Sequence, residues 1–231
     1  IIAILLIVYL AYNLKYKRRI ILNNLDSNTT EGFSKTIEGF EPADNEMKAV
    51  VAKYNEFNNI QSISDKYAKM ALHEYCIKAS YNSACSGKYI SENMVKAVLK
   101  RGCRFLDFEI FHIKENNIFK PMVAVSSDTS YVLLDTKNSV LLDKLLTTVA
   151  TTAFSQGSPN NKDPVFINLR IKSKDSNIYH AVASSIDATL KSVIYNGKIT
   201  KETKLKDVMG KAVIIVDKTV EYDYNQYTAC K

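Results

Sequence analysis

The sequence CRFLDFEIF, residues 103–111, decides the fold. Most of its side chains are apolar, which is typical of a strand buried on both faces of a parallel sheet. Two carboxylates, Asp107 and Glu109, interrupt the apolar run. Because side chains alternate along a strand, these two residues share one face. The run therefore predicts a buried strand that carries two acidic groups on one side.

A second stretch, PVFINLRI at 164–171, has the same character. Asn168 and Arg170 share one face, and Val, Ile and Leu residues occupy the other. In α/β folds, polar side chains from neighbouring strands meet near the carboxyl ends of the strands, where such folds hold their sites. An unpaired buried carboxylate is costly, so we expect Arg170 to pair with Asp107 or Glu109. Two interpretations stay open, a chemical site and a buried network that only stabilises the fold.

Segments with strand and helix patterns alternate around these two stretches. The predicted strands are 75–80, 103–111, 121–127, 164–171 and 211–218. The predicted helices are 91–102, 139–154 and 177–194. This alternation indicates an α/β domain over residues 75–231, with a parallel sheet covered by helices.

The chain begins with fourteen nearly uninterrupted apolar residues, IIAILLIVYLAYNL, followed by the basic cluster KYKRR at 15–19. A span of the bilayer needs about 20 residues. Since the sequence does not begin with Met, we expect the span to be completed upstream. A basic cluster next to an apolar run marks the cytoplasmic side. Residues 1–19 are therefore predicted to be the end of a transmembrane segment in a lipid bilayer, with the rest of the chain on the cytoplasmic side.

Residues 20–43 have the composition of a tether. The tripeptide Glu-Gly-Phe occurs twice, with Phe33 and Phe40 seven residues apart. The segment is either a docking sequence that places the two rings in pockets of a partner protein or a disordered linker. Residues 44–74 that follow have apolar residues at helical spacing and are predicted to be a helical segment, with a second helical stretch starting near Ser64.

The composition favours anionic partners but does not single out nucleic acid. The net charge is +7 at pH 7, yet no nucleic-acid motif is present. Lys, Ile and Asn number 26, 22 and 19 against only 5 Arg, which is the bias of an AT-rich genome. The four cysteines have no metal-ligand spacing, so we expect no metal or other cofactor. Because no nucleic-acid motif is present, we also expect no nucleic-acid partner.

Several segments together resemble the X region of phosphatidylinositol-specific phospholipase C. They are SYNSACSG at 80–87, GCRFLDFE at 102–109, KPMVAVSS at 120–127, PVFINLR at 164–170 and GKAVIIVDK at 210–218. The resemblance covers about residues 75–218 and depends on the order and spacing of these segments. It implies a TIM-barrel-like fold, either partial or complete within this chain.

The positions that carry chemistry in this family are altered here. The family opens with His-Asn, and the matching pair is Tyr81-Asn82. The second catalytic histidine of the family falls at Val125 or Ser126. The resemblance therefore implies a catalytically degenerate site.

The metal ligands of the family are altered as well. The acidic calcium ligands match Asp107 and Glu109, but Arg170 stands where a third acidic ligand is expected. Lys218 matches a late lysine near the phosphate. A guanidinium can replace the charge of a metal ion with a tethered one.

Three functions remain possible from sequence. The first is a non-catalytic, membrane-anchored scaffold, which resembles a minor structural protein that links the internal membrane of a large nucleocytoplasmic DNA virus to its capsid proteins. The second is a phosphodiesterase with a rebuilt site that uses Glu109, His112 or Tyr81. The third is a phosphoinositide- or phosphate-binding module that uses Arg170, Lys218 and the basic surface.

Overall fold

The computed structural model describes residues 42–53, 60–128, 133–173 and 175–217. Its strands are β1 (Ala79–Ser80), β2 (Phe105–Glu115), β3 (Ile118–Ala124), β4 (Val140–Leu141), β5 (Val165–Ile171) and β6 (Ala212–Val216). Its α-helices are α1 (Pro42–Lys53), α2 (Glu92–Lys100), α3 (Leu142–Ala153), α4 (Asn177–Leu190) and α5 (Leu205–Val208). The short segment Leu72–Glu74 is a 3-10 helix. The predicted α/β class is confirmed.

The strands form one mixed sheet in the order β4-β3-β2-β5-β6, with β1 beside the first two residues of β2. Strands β1, β2, β5 and β6 are parallel, whereas β3 and β4 run antiparallel to their neighbours. The prediction of a parallel sheet was wrong for β3 and β4. Asn116 and Asn117 have φ of 50° and 64°, and two such residues form the tight turn that joins antiparallel strands. The chain therefore reverses direction after β2 and returns beside it as β3.

The main core lies between the sheet and helices α2, α3 and α4. Strand β2 contributes Leu106, Phe108 and Ile110, which are fully buried. Side chains at odd-numbered positions of β2 point away from these helices. Asp107 and Glu109 therefore lie on the opposite face of the sheet, free of the apolar core.

A smaller apolar cluster covers this opposite face at the amino ends of the parallel strands. It contains Phe166, Val213, Leu205, Val208 and Ala68. The polar face of the sheet is thus closed by apolar packing at one end and carries its charged side chains toward the carboxyl ends.

The helical stretch predicted to start near Ser64 is absent. Residues 65–69 form turns, and their neighbours make hydrogen bonds to a distant segment of the chain. Leu72 N–H donates to the carbonyl of Thr203, and Leu205 N–H donates to the carbonyl of Met70. These backbone groups are paired across the chain, so the apolar spacing here reflects packing on residues 203–206.

Smaller differences concern the ends of elements. The first predicted strand, 75–80, is reduced to Ala79–Ser80, and the helix predicted over 177–194 ends at Leu190. Helix α1 begins at Pro42, within the predicted tether, as suits a proline in the first turn. The predicted transmembrane segment and most of the tether lie outside the described residues. No helix among the described residues is long and apolar enough to cross a membrane.

Candidate functional site

The guanidinium of Arg170 lies between the two carboxylates of β2. Its Nε and Nη2 atoms donate to the two oxygens of Asp107 at 2.9 and 2.7 Å, and Nη1 donates to Glu109 at 2.5 Å. The side chains of Arg170, Asp107 and Glu109 are 13%, 6% and 4% exposed. The strand pattern predicts such a charge pair with one carboxylate, and the structure makes it with both.

The register of the sheet explains this arrangement. In the parallel pair of β2 and β5, Glu109 stands opposite Arg170 and Asp107 stands opposite Asn168. All four side chains therefore emerge on the same face, within two adjacent rows. We call Asn82, Asp107, Glu109, Asn168 and Arg170 the arginine cluster.

Every acceptor position of Asp107 is occupied within the arginine cluster. A carboxylate has about four such positions, and Arg170 takes two of them. The third accepts from Asn168 Nδ2 at 2.9 Å, and the fourth from the backbone N–H of Asn82 at 3.1 Å. Asp107 has no acceptor position left for a further ligand.

The electrostatics of Asp107 and Arg170 support one another. Burial alone would raise the pKa of Asp107, but hydrogen bonds from Arg170, Asn82 and Asn168 and the charge of Arg170 lower it below its usual value. Burial would lower the pKa of Arg170, but the hydrogen bond and charge of Asp107, together with Glu109, raise it above its ordinary value. Both groups are therefore charged at neutral pH.

Tyr81 and Asn82 follow strand β1 and cover the outer side of the cluster. Asn82 has a positive φ of 44°, which asparagine tolerates better than most residues, and its Oδ1 atom accepts from Arg170 Nη2 at 2.6 Å. The ring of Tyr81 lies with its centroid 4.6 Å from the central carbon of the guanidinium. This is a cation–π contact. Because Tyr81 is 73% exposed, the ring covers the guanidinium on its solvent side.

Val125 and Ser126 lie directly after β3, on the other side of the cluster. The side chain of Val125 packs against the main apolar core. The backbone N–H of Ser126 donates to Glu109 Oε2 at 2.9 Å, and its hydroxyl donates to the carbonyl of Leu133. Ser126 supports the position of Glu109 and offers no titratable group near neutral pH.

None of the three histidines of the chain is in the arginine cluster. His112 is three residues after Glu109, so it projects from the opposite face of β2. Its Nδ1 atom lies 2.9 Å from Asp175 Oδ2, and its side chain is 7% exposed. His73 is in the 3-10 helix before β1, and His180 is on α4. His112 therefore does not share the face of Glu109, because an odd spacing along a strand changes the face.

The residues present do not fit a calcium ion. Calcium is bound by six to eight oxygens, several of them from carboxylates. Here the acceptor positions of Asp107 are filled, and the cation Arg170 stands between the acidic groups. Among the described residues, no group of three or more His, Cys, Asp or Glu side chains could hold a metal ion. Lys218, the remaining predicted site residue, lies outside the described residues.

Comparison with known proteins gives this geometry a context. Residues 68–218 match the model of the family "Phosphatidylinositol-specific phospholipase C, X domain". The chain belongs to this family. A comparison with curated protein sequences gave no match.

Two solved structures show the same fold. PLC21 of L. pealei has a TM-score of 0.54 and 16% identity, over 69% of this chain and 20% of its own. PLC21 of S. officinalis has a TM-score of 0.51 and 17% identity, over 71% of this chain and 22% of its own. This chain therefore spans about a fifth of the length of these proteins. The mixed sheet is of the TIM-barrel-like kind of this X-domain family, and it stays open within the residues described.

Sequence reasoning missed one buried charge, Arg104. It is 4% exposed, and burial lowers its pKa to about 10 against the opposing charge of Asp163. Its Nη1 atom donates to the carbonyl of Ala153 at 2.9 Å, and Nη2 donates to Ser158 Oγ at 2.8 Å and to the carbonyl of Asn160. The signal was available, because Arg104 has the same parity as Leu106, Phe108 and Ile110. Arg104 therefore lies on the core face of the sheet, opposite the face that carries the arginine cluster.

Proposed function

We propose that this chain is a non-catalytic member of the X-domain family that acts as a membrane-anchored scaffold. The observation that carries the proposal is the position of Arg170. Its guanidinium joins Asp107 and Glu109 and is itself held by Asn82, so an internal ion pair fills the place where the resemblance implies a catalytic metal. The site is built to be stable without a ligand.

The missing acid–base groups support the same conclusion. Cleavage of the phosphodiester by an inositol hydroxyl needs a base for that hydroxyl and an acid for the leaving group, with pKa values near the working pH. The positions implied for them hold Tyr81 and either Val125 or Ser126. A tyrosine has a reference pKa of about 10 and is a poor base at pH 7. A rebuilt site with His112 is disfavoured, because His112 projects from the opposite face and pairs with Asp175.

Headgroup binding by the arginine cluster is disfavoured by charge. Arg170 and the carboxylates of Asp107 and Glu109 give the cluster a net charge of −1 when all three are ionised. Four of the five guanidinium hydrogens are already donated within it. A phosphate would find one guanidinium hydrogen undonated and would have to displace a present acceptor to bind Arg170 bidentately.

We predict that the purified chain releases no inositol phosphate from phosphatidylinositol vesicles, with or without calcium. The carboxylates of Asp107 and Glu109 are engaged by Arg170, and Tyr81 is a poor base at neutral pH. The measurement is release of labelled headgroup over several hours, next to an active member of the family and a mock purification.

A matched variant makes this turnover assay decisive. Glu109→Gln keeps the shape of the side chain and removes its charge. Activity above the mock level that disappears in Glu109→Gln would assign a rebuilt catalytic site to the cluster and refute the non-catalytic proposal.

We also predict that the full chain stays in the membrane pellet after extraction with alkaline carbonate. The apolar residues 1–14 and the basic flank at 15–19 are the motive, because carbonate removes peripheral proteins and leaves inserted segments in place. A variant without residues 1–14 should move to the supernatant. Release of the full chain into the supernatant would rule out insertion.

For the setting of this scaffold, we propose the internal membrane of a large nucleocytoplasmic DNA virus. The support is the AT-rich composition together with an anchored enzyme fold whose site is altered. In such a particle the domain and residues 20–43 would contact capsid proteins. Cross-linking and mass spectrometry of purified particles tests this setting, and cross-links only to cytosolic host proteins would exclude it.

A further inference from the structure

The domain has a strong asymmetry of charge between its two ends. The segments before the parallel strands, residues 60–78, 100–103, 155–164 and 191–211, form what we call the amino-end surface. They contain twelve Lys and Arg residues against five Asp and Glu residues, a difference of seven positive charges. Buried Arg104 is outside this count. If Asp187, which lies 3.9 Å from Lys191, is added, the excess is still six.

Among the residues that the structure describes, the opposite end, which carries the arginine cluster, has no such excess. The segments at the carboxyl ends are residues 81–91, 112–128, 133–139, 172–173, 175–176 and 217. Together they hold five lysines and five acidic residues. With the cluster's charge of −1 when its three groups are ionised, the described residues of this end carry no positive excess. An anionic surface is therefore attracted to the amino end of the domain.

The amino-end surface also exposes large apolar side chains among its lysines. Tyr67, Met70 and Ile199 are 56%, 45% and 41% exposed, and Ile77 is 36% exposed. The segments that carry three of them lie side by side, since Ala71 pairs with Lys204 in an isolated antiparallel bridge. Tyr67, Met70 and Ile199 thus lie on neighbouring segments that also carry Lys201, Lys204 and Lys206.

We propose that the amino-end surface docks on an anionic lipid bilayer. Exposed apolar side chains surrounded by lysines are the chemistry of interfacial membrane binding, in which the rings and aliphatic groups enter the headgroup region and the cations face anionic lipids. A nucleic acid would meet the charge but gain nothing from exposed Met70 and Ile199. The proposal orients the domain, so that the arginine cluster and Tyr81 face away from the bilayer and toward a partner protein.

The absence of tryptophan from the chain provides a clean test. In Ile199→Trp, the new ring is the only indole and lies on the amino-end surface. In Phe119→Trp, it lies on the β2–β3 hairpin at the other end, where Phe119 is 53% exposed. Each full-length variant is reconstituted into vesicles of phosphatidylcholine, with or without phosphatidylserine, that contain brominated lipid as a quencher.

For the Ile199→Trp chain, we expect quenching of the indole fluorescence in vesicles with phosphatidylserine and loss of that quenching at high salt, because docking depends on screened charges. Lys201→Glu, Lys204→Glu and Lys206→Glu together should abolish the quenching. The matched reversal of Lys88, Lys114 and Lys137 at the other end should leave it intact. If the three reversals at Lys201, Lys204 and Lys206 unfold the domain, the salt dependence of quenching in the Ile199→Trp chain still tests the proposal.

Quenching of the indole at position 119 instead of position 199 would overturn the proposed orientation. Equal quenching with and without phosphatidylserine would overturn the electrostatic basis. A response of the indole at position 199 to single-stranded RNA but not to vesicles would assign the surface to nucleic acid. The inference rests on the proposed function only for the presence of a bilayer close to the domain. If the indole is not quenched, but the chain still resists carbonate extraction and shows no turnover, only the docking surface is refuted.

Discussion

Replacing Arg170 by alanine should lower the free energy of unfolding by about 3–5 kcal/mol, because removal of one partner leaves a buried charge uncompensated. Asp107 and Glu109 are nearly buried and both depend on this guanidinium. In a domain of this size, the thermal midpoint should fall by roughly 6–20 °C. Differential scanning calorimetry or circular dichroism measures the shift.

Two further variants separate lost charge pairing from lost packing. Adding Asp107→Asn and Glu109→Gln to Arg170→Ala removes the uncompensated charges and should recover much of the stability. Lys100→Ala removes an exposed cation at the end of α2 and should change stability by no more than about 0.5 kcal/mol. A shift from Arg170→Ala as small as that from Lys100→Ala would show that the cluster does not stabilise the fold.

The pH dependence gives an independent check. The pKa of Asp107 is lowered in the folded chain, so its contribution is present above the unfolded value of about 3.9 and is lost as pH falls through the folded value. In Arg170→Ala, burial acts without the guanidinium and should raise the pKa of Asp107, so acid should relieve the destabilisation. The stability difference between the two proteins should therefore shrink as pH falls from neutral through the unfolded value of about 3.9.

The arginine cluster was largely readable from the sequence because it depends on strand parity. Asp107, Glu109, Asn168 and Arg170 sit at even spacings in two apolar runs, and a strand leaves no other choice of face. The register that sets Glu109 opposite Arg170 is a tertiary property. For that reason the sequence could place Arg170 near an acid but could not show that it joins both.

Features set by long-range backbone pairing were the ones that pattern reasoning missed. The stretch that starts near Ser64 has helix-like apolar spacing, but the carbonyls of Ala68 and Met70 and the N–H of Leu72 bond to residues 203–206, which are far away in the chain. The return of β2 through β3 depends on positive φ at Asn116 and Asn117. The pair Asn-Asn is a weaker hairpin signal than Asn-Gly, so the sequence pattern did not predict the antiparallel return.

The open side of the cluster bears on the scaffold proposal. Tyr81 is the most exposed of the large apolar side chains that the structure describes, and its ring lies over the guanidinium of Arg170. An exposed aromatic side chain at the carboxyl end is suited to a protein contact, since aromatic residues are enriched in such interfaces. If the amino-end surface meets the bilayer, this ring lies where a partner would approach.

The second large effect is expected at Arg104. Arg104→Met should destabilise the domain by about 3 kcal/mol or more. Hydrogen bonds from charged donors contribute about 1.5–3 kcal/mol each, and buried acceptors left without a hydrogen bond are costly. Arg104 holds the carbonyls of Ala153 and Asn160 and the hydroxyl of Ser158 against the start of β2. Methionine retains most of the apolar volume, so the loss reports on these bonds.

The Arg104 bonds join the loop after α3 to the strand that carries Asp107 and Glu109, so their loss should also loosen that loop. Hydrogen exchange should show faster exchange over residues 153–160 in Arg104→Met than in the parent chain. Arg104→Lys keeps the charge but not the fork of donors, and should recover only part of the stability. If Arg104→Met costs less than about 1 kcal/mol, or if Arg104→Lys restores full stability, the donor geometry is not what holds this loop.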